Sequence, residues 1–373
     1  MGVPSERTID PETIHERLRE AGVAGAGGAG FPSYVKWADL SGIHSLMVNH
    51  QESEPNYYAD KWLGRERAEE LSTLFDAFLG ESDANPDGSF DRVVVGTKEP
   101  YRDEWMGPFE AATDATVFGP EELPVTVTDH TGTLFVYTPN VYTYSEESVL
   151  LMVAAGTPIG EDLPTDHGWI VHNTETLYNI YRALFEDAPV TRTYVHVDGN
   201  TPEHRCLEVP IGTPASDLLE AAGIDDLDAL DGQVLADGGP GWCYATDLSP
   251  EEFGVRKRTN AVLVLDEELA TENTQEDGQI DVLTAAEWGP SDDRPHETEP
   301  TPLSPDVVRI PLITNAAYEG FVQPSVPVVE PGDTVSEGDV VAEPSSEGIS
   351  IAQHASIDGT VEDVTDTHVI VRR

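Results

Sequence analysis

The stretch GAGGAGFPSYVKW occupies residues 25–37, and it limits the possible folds more than any other part of the chain. Its first six residues, 25–30, are called the glycine loop below, and they match the pattern G-x-G-x-x-G. In a dinucleotide-binding fold that pattern follows a strand and opens a helix. Here the preceding residues 11–21 have helical periodicity and Phe31-Pro32 follows at once, so we reject this fingerprint.

Four glycines in six residues are costly to order, because glycine loses more backbone freedom on folding than any other residue. Such a loop is expected where another group packs closely against the bare main chain. A phosphate-bearing cofactor is the first interpretation. A tight contact between a helix and a loop is the alternative that the pattern alone leaves open.

The segments after the glycine loop alternate between strand and helix patterns. HSLMVN at residues 44–49 and DRVVVGT at residues 91–97 predict strands, with a helical pattern at residues 66–80 between them. Further helical patterns follow at residues 145–156 and 174–186. Strand, helix and strand in this order predict an α/β domain with a Rossmann-like parallel sheet, which we place at residues 1–188.

The remaining chain has three parts of different character. Residues 189–266 combine short β-like runs with one helical segment, which predicts a small α+β module. Residues 267–304 are acidic and rich in proline, which predicts a linker with at most one short ordered segment. Residues 305–373 alternate short strands with Gly-Asp and Asp-Gly turns, which predicts a compact all-β segment.

The chain is extremely acidic along its whole length. Asp and Glu number 70 against 20 Lys and Arg, giving a formal charge of -50 over 373 residues. Only four of the cations are lysines: Lys36, Lys61, Lys98 and Lys257. The even spread of charge predicts a protein from a salt-rich cytoplasm. Nucleic acid and acidic membrane surfaces are excluded as partners, because they require clustered cations.

Cysteine content and hydropathy argue against a disulfide-rich, metal-binding or membrane-spanning protein. Cys206 and Cys243 are the only cysteines, too few for a disulfide framework or a four-thiolate metal site, and the histidines lack metal-ligand spacing. We therefore predict no metal site. No apolar run is long enough to cross a bilayer, so we expect a cytoplasmic protein without direct membrane insertion.

Four motifs together resemble one family, the flavin-bearing, NADH-oxidising subunits of respiratory complex I. Residues 25–37 resemble GRGGAGFPTGxKW, and residues 48–63 (VNHQESEPNYYADKWL) resemble N-x-D-E-S-E-P-G-x-x-K-D-R. Residues 142–151 (YTYSEESVLL) and 166–181 (DHGWIVHNTETLYNIY) resemble two later motifs. The C subunit of the Rnf complex and the cobalamin reductase of propanediol utilisation carry variants of the same set.

This resemblance implies two cofactors, FMN and NAD(H), and no acid–base catalyst, since hydride passes directly between them. Main-chain N–H groups of the glycine loop would line the FMN, Lys36 would compensate its phosphate, and the asparagines would bond its polar atoms. Glu52 and Glu54 would lie beside the flavin and the ribose or nicotinamide of NADH. The residues that the resemblance assigns to cofactor binding are Gly25, Gly27, Gly28, Gly30, Lys36, Asn49, Glu52, Glu54, Tyr142, Glu147, Asn173 and Thr176.

Several positions depart from the family pattern. Asn56 stands where the family has glycine, His50-Gln51 replaces a small residue and Asp, and Ser145 replaces a glycine of the Rnf-type members. Ala59-Asp60-Lys61 replaces K-D-R. These departures concern the nicotinamide side of the expected site more than the flavin side.

The later segments also resemble parts of these proteins. Residues 189–266 are similar to their soluble-ligand-binding β-grasp (SLBB) module, and residues 305–373 to a lipoyl-like barrel-sandwich segment. No lysine follows Lys257, so covalent lipoyl or biotin attachment is excluded. The cysteine-rich iron–sulfur portion of the relatives has no counterpart here, which implies that electrons leave the flavin for a separate iron–sulfur carrier, a ferredoxin or another protein of a complex.

The sequence therefore predicts an FMN-dependent NADH:acceptor oxidoreductase. A cobalamin reductase of the same family is one alternative. The other is a non-catalytic scaffold or assembly protein that keeps the fold and has lost nucleotide binding.

Overall fold

The computed structural model describes residues 11–79, 90–286, 299–315, 318 and 320–373. The chain divides into two compact units. The first unit consists of the described residues up to Leu18, Ser33–Ser53 and Tyr58–Ala188. The second unit consists of Arg19–Pro32, Glu54–Tyr57 and Pro189–Arg373. No helix in the described ranges is long and apolar enough to span a bilayer.

A five-stranded parallel sheet organises the first unit. Its strands are β1 (Ser45–His50), β2 (Arg92–Lys98), β3 (Thr116–Phe118), β4 (Gly132–Thr138) and β5 (Trp169–Asn173). Their order is β3-β4-β2-β1-β5, and all neighbouring pairs are parallel. The predicted α/β class with a Rossmann-like parallel sheet is thus confirmed.

The central strands are apolar because both faces of the sheet are covered. All seven residues of β2 are buried, as are six of the seven in β4, as expected for strands in a parallel sheet. Leu150 and Leu151 of the helix Glu147–Ala155 pack against Met47 of β1 and Val94 of β2 in one apolar cluster. The helices of this part of the chain are α1 (Pro11–Glu20), α2 (Ala59–Glu66), α3 (Ala68–Leu79), α4 (Gly107–Thr113), α5 (Glu147–Ala155) and α6 (Thr174–Tyr181).

The second unit contains a mixed seven-stranded sheet of order β11-β9-β8-β10-β6-β7-β12. Its strands are β6 (Arg192–Gly199), β7 (Arg205–Pro210), β8 (Gln233–Gly239), β9 (Trp242–Ala245), β10 (Ala261–Asp266), β11 (Gln279–Ile280) and β12 (Thr301–Pro302). Helix α7 (Ala215–Ala221) covers one face through Leu218 and Leu219. The assignment of this part to the β-grasp class stays a prediction.

Part of the segment predicted as a linker is folded. Residues 267–272 form helix α8 (Glu267–Glu272), and β11 pairs antiparallel with β9. Ile280 and Val282 are buried in an apolar cluster with Cys243 and Leu263, and this burial offsets the polar composition of the segment. Residues 287–298, which the sequence also assigns to the linker, lie outside the described residues.

The tail of the chain is built from two small sheets. One has the order β13-β19-β18-β15 and the other β14-β16-β17. Their strands are β13 (Val307–Pro311), β14 (Val326–Pro327), β15 (Thr334–Val335), β16 (Val340–Glu343), β17 (Gln353–His354), β18 (Gly359–Val364) and β19 (His368–Arg372). Valine, isoleucine and alanine side chains from these strands form one buried cluster.

Candidate functional site

The carboxyl edge of the parallel sheet collects predicted site residues from two neighbouring strands. Asn49 near the end of β1 and Asn173 at the end of β5 are direct partners in the strand register. The chain moves from β1 to β2 on one side and returns to β5 on the other. Ligands of open α/β sheets bind at such a reversal, outside the carboxyl ends of the strands. The fold thus brings two predicted flavin ligands to the expected place.

Lys36 reaches strand β5 from a short 3-10 helix, Ser33–Trp37. Its Nζ donates to Val171 O of β5 at 2.9 Å and to Glu147 Oε1 at 2.8 Å. Both side chains of this ion pair are partly exposed, 27% for Lys36 and 36% for Glu147, so the pair itself adds little stability. A bound phosphate could compete with Glu147 for this lysine.

Tyr142 and Glu147 lie on either side of a turn that contacts β1. Tyr142 begins a 3-10 turn that ends at Ser145, and Glu147 begins helix α5. Asn49 Nδ2 donates to Ser145 O at 2.7 Å. This turn and the ion pair of Lys36 therefore bring together four predicted site residues, Lys36, Asn49, Tyr142 and Glu147.

Asn173 also caps helix α6. Its Oδ1 accepts the main-chain N–H of Thr176 at 3.1 Å and the Thr176 hydroxyl, as expected of an N-cap asparagine. Its Nδ2 lies 3.5 Å from Asp60 Oδ2. Asn173 and Thr176 are both predicted flavin ligands. Their spacing of three residues is the spacing of a helix N-cap and the N–H group that it accepts.

Glu52 holds the start of helix α2. Its carboxylate accepts the main-chain N–H groups of Asp60 and Lys61, each at 3.1 Å, and Lys61 Nζ is 3.9 Å away. Only 10% of the side chain is exposed. Burial raises the pKa of Glu52, and the positive charge of Lys61 opposes that shift. Glu52 is thus not an acid of the solvated surface.

The backbone of Glu52 is strained. Its φ is +33°, in the region that residues other than glycine rarely adopt. Tyr101 donates its hydroxyl to Glu52 O at 3.1 Å. Strained conformations of this kind persist where the surrounding contacts impose them, and they are concentrated at functional sites.

Sequence reasoning missed two further buried acids next to Glu52. Asp60 Oδ1 accepts the main-chain N–H of Glu175 at 2.8 Å, and both residues are buried. Burial, followed by the negative charges of Glu52 and Glu175, raises the pKa of Asp60 well above its usual range. The only sequence signal was their place inside two family motifs, the K-D-R position and the ETL segment.

We expect Asp60→Asn to stabilise the protein more at pH 8 than at pH 5. The raised pKa of Asp60 means that the folded chain holds a proton which the unfolded chain has released above about pH 4. The native state therefore loses stability as the pH rises toward the folded pKa, at about 1.4 kcal/mol per pH unit. Asparagine removes that loss. Urea unfolding at both pH values, at constant high KCl, measures it.

An exposed aspartate of the same unit serves as the control for this prediction. Asp103 is exposed, and Asp103→Asn measures how the removal of one acidic side chain from this unit changes the free energy of unfolding at each pH. An Asp60→Asn effect that differs between the two pH values no more than the Asp103→Asn effect would contradict the assigned direction of the Asp60 pKa.

Three of the four lysines belong to, or contact residues of, the carboxyl edge of the parallel sheet. Lys36 contacts β5, Lys61 contacts Glu52, and Lys98 is the last residue of β2. Lys61 and Lys98 also lie over the ring of Tyr101, with Nζ 4.2 Å and 5.9 Å from its centroid. Three of the four lysines thus lie at one edge of the sheet, together with their acidic neighbours Glu147 and Glu52, in a chain whose net charge is -50.

The departures His50 and Gln51 are buried beneath the edge. His50 Nδ1 pairs with Thr174 Oγ1 at 2.6 Å, and Gln51 Nε2 donates to Thr138 Oγ1 at 3.2 Å. Burial, together with the charge of Lys61, lowers the pKa of His50 to about 3, so the imidazole is neutral. Both side chains join neighbouring strand ends.

The departure at Asn56 has a conformational explanation. Its φ is +66°, which is left-handed, and the family has glycine at this position. Asparagine is among the few other residues that adopt this conformation readily. The substitution therefore preserves the turn after the ESEP motif.

The glycine loop and Glu54 belong to the second unit. Gly25 N donates to Phe31 O at 2.8 Å, and Gly30 N donates to Gly25 O at 2.7 Å, which closes the loop on itself. Glu54 is half-buried and accepts the N–H of Gly241 at 3.0 Å. Glu54 thus contacts the turn between β8 and β9, a partner that the motif analysis did not anticipate.

The two ends of the loop differ in their surroundings. A Cβ added to Gly30 would lie 2.8 Å from Asn315 Cβ and 3.0 Å from Arg258 Cβ. A Cβ added to Gly28, whose φ is +102°, would meet no atom of the described residues within 4 Å. Gly30 is therefore required for packing inside the protein, whereas Gly28 faces open space of the kind a bound group can fill.

No group of three or more His, Cys, Asp or Glu side chains is arranged to hold a metal ion within the ranges that the structure covers. Cys206 and Cys243 are buried, and neither forms a disulfide. Burial, with the charge of Glu54 next in importance, raises the pKa of Cys243 to about 12. This thiol is accordingly protonated at neutral pH.

Comparison with known proteins bears on the same residues. The sequence profile of the Nuo51 FMN-binding domain matches residues 18–182. This range includes the glycine loop, Lys36, Asn49 and Asn173. Residues 18–182 belong to the Nuo51 FMN-binding domain family. The resemblance stated from the four motifs is thus confirmed.

Relatives of this chain are oxidoreductases by name. Cobalamin reductase PduS of Citrobacter freundii is 31% identical over 266 residues, which cover 70% of this chain and 52% of the relative. The C subunit of the ion-translocating oxidoreductase complex of Pseudomonas aeruginosa is 31% identical over 225 residues, which cover 59% of this chain and 26% of the relative. The chain thus spans about half the length of the first relative and less of the second.

A solved structure is similar in fold to much of this chain. The NAD+-reducing [NiFe]-hydrogenase in its air-oxidized state aligns with a TM-score of 0.50 at 23% identity. The alignment covers 70% of this chain and 47% of the hydrogenase chain. At this level of identity the similarity concerns the fold alone.

Proposed function

We propose that this protein is an FMN-dependent oxidoreductase that takes hydride from NADH and passes electrons to an iron–sulfur partner protein. One observation carries the proposal: three of four lysines meet the carboxyl edge of the parallel sheet in a chain of charge -50. A site for an anionic nucleotide needs cations close by, which these lysines would supply. The membership of residues 18–182 in an FMN-binding family supports the same ligand.

The residues at the edge suit the chemistry of FMN. Lys36 would hold the phosphate through a charge-assisted hydrogen bond, in place of its pair with Glu147. The amides of Asn49 and Asn173 and the hydroxyls of Thr176 and Tyr142 supply donors and acceptors for the polar atoms of the flavin. Each group is held by a neighbour, so binding requires little further ordering of side chains.

The glycine loop would contribute its bare main chain and shape to the flavin site, because the N–H groups of Gly25, Gly28 and Gly30 already donate to protein carbonyl oxygens. The space beside Gly28, where a Cβ would meet no described atom within 4 Å, leaves room for such a role. Gly25, Gly27 and Gly30 would contribute through the closed shape of the loop.

Glu52 and Glu54 are proposed to orient NADH through its ribose or nicotinamide groups. When bound, FMN would supply the chemistry that connects two-electron hydride transfer with one-electron transfer. The protein's own contribution is to orient both nucleotides and to exclude water, with Lys61 balancing the charge of Glu52. The released electrons require an acceptor outside this chain, for which an iron–sulfur carrier is the proposed partner.

An absorption spectrum of protein purified at high salt, before and after reconstitution with FMN, tests the flavin. We expect flavin bands that heat releases into the supernatant. A protein that stays colourless after reconstitution would favour the scaffold alternative instead.

Anaerobic addition of NADH to the flavin-loaded protein tests the donor. Bleaching of the flavin band is the expected result. An unchanged spectrum would leave FMN in place and remove NADH, and NADPH added in parallel shows whether another nicotinamide donor takes its place.

Cobalamin reduction is a second candidate, favoured by the 31% identity to cobalamin reductase PduS. The two candidates differ only in the electron acceptor. NADH oxidation measured with a cobalamin and with a ferredoxin as alternative acceptors separates them, because the physiological acceptor should support the higher kcat/KM.

A further inference from the structure

The glycine loop is supported from behind by two segments that come much later in the chain. Gly28 N donates to Arg258 O at 2.9 Å. Asn315 Nδ2 donates to Ala29 O at 3.0 Å, across 286 positions of sequence. Both bonds lie within the second unit. The loop's main chain is thus attached to the β-grasp-like part and to the tail.

Side chains pack differently against Gly30 and Gly28 of the loop. The missing Cβ of Gly30 allows Asn315 and Arg258 to pack directly against the main chain. A Cβ at Gly28, by contrast, would meet no atom of the described residues within 4 Å. Within that part of the chain, the two later segments therefore cover the loop at Gly30 and leave space beside Gly28.

The supporting segment is itself held rigidly. Arg258 Nη2 donates to Asp237 Oδ2 at 2.6 Å, and Arg256 Nη1 lies 3.4 Å from the same oxygen. Lys257 is buried and donates to Gly22 O at 2.8 Å and to Ala352 O at 3.1 Å. Lys257 thus joins the segment behind the glycine loop to Gly22, just before the loop, and Arg258 of the same segment is held by Asp237.

We infer that Asn315 and the Arg256–Arg258 segment are positioning residues for flavin binding. They set the conformation of the glycine loop, so the C-terminal segment of the chain is part of the cofactor site and not only a docking element. This inference rests on the proposed function, because it concerns the binding of FMN.

Asn315→Ala tests the inference in the full-length chain. Losing the bond to Ala29 should raise the Kd for FMN about tenfold, the effect of one hydrogen bond. Asn315→Asp keeps the side-chain volume and replaces the donor with an acceptor facing a carbonyl oxygen, so it should weaken binding at least as much. A role in packing alone predicts wild-type affinity for Asn315→Asp.

Asn273→Ala is the matched control. Asn273 Nδ2 donates to Leu269 O at 2.8 Å in the same unit, and it too is partly buried. We expect all variants to lose similar thermal stability, and only the Asn315 variants to change the Kd and the visible circular dichroism of bound FMN. Wild-type Kd and dichroism in both Asn315 variants would overturn the inference alone. Failure of the wild type to bind FMN would overturn the proposed function as well.

Discussion

Gly28→Val will abolish flavin retention. The valine side chain would enter the open space beside the loop, where no atom of the described residues lies within 4 Å. The proposed ligand needs this space, and we expect its affinity to fall at least about 100-fold, or about 2.7 kcal/mol. The flavin-to-protein ratio after gel filtration, and titration with FMN, measure the loss.

The conformational cost of this substitution can be separated from its effect on the ligand. Gly28 has a φ of +102°, which valine adopts only under strain. Gly332 is in the same unit, has a φ of +100°, and also faces open space in the described part of the chain. Gly332→Val should lower the thermal stability similarly and leave flavin retention unchanged. Normal retention in Gly28→Val would refute the role proposed for the loop.

Lys36→Met will weaken FMN binding about 10- to 100-fold while leaving riboflavin binding unchanged. A charge-assisted hydrogen bond to phosphate contributes about 1.5–3 kcal/mol, and riboflavin lacks the phosphate. Methionine keeps most of the aliphatic stem and removes the charge. Fluorescence titration with each flavin, at constant high KCl, measures both affinities. Equal weakening of both flavins would contradict a phosphate role for Lys36.

Arg192 provides a control for the loss of a cation. Its ion pair with Glu208 spans 3.0 Å, and its side chain is 24% exposed, close to the 27% of Lys36. Arg192→Met should therefore alter the net charge and the pairing of a carboxylate in the same way. We expect FMN affinity within about twofold of wild type for this variant, since Arg192 lies in β6 and not at the carboxyl edge of the parallel sheet.

Much of the first unit could be predicted because its signals are local. The apolar runs at residues 44–49 and 91–97 correspond to β1 and β2, and the helical pattern near residue 70 corresponds to α3. Runs this apolar are stable only where both faces of a sheet are covered, which implies parallel strands. The segment after Asp266 was harder, because its few apolar residues, Ile280 and Val282, are buried by strands distant in sequence.

The candidate site was predictable where its residues belong to contiguous motifs. Lys36, Asn49, Asn173 and Thr176 were identified in this way, although their roles in binding stay predictions. Lys61, Asp60 and Glu175 were quoted as motif positions without a function. Their pairing depends on helices α2 and α6 meeting, and no periodicity in the sequence indicates that contact.

Local sequence and composition are enough to predict the parallel sheet, the family and the scarcity of lysine, because each of these properties is carried by neighbouring residues or by residue counts. Only the folded structure decides which charged side chains contact one another and which glycine has open space beside it. Asp60 and Glu175 are 115 positions apart, and Ala29 and Asn315 are 286 apart. Contacts of this range, and the pKa shifts that burial produces, arise from packing between segments that no local pattern connects.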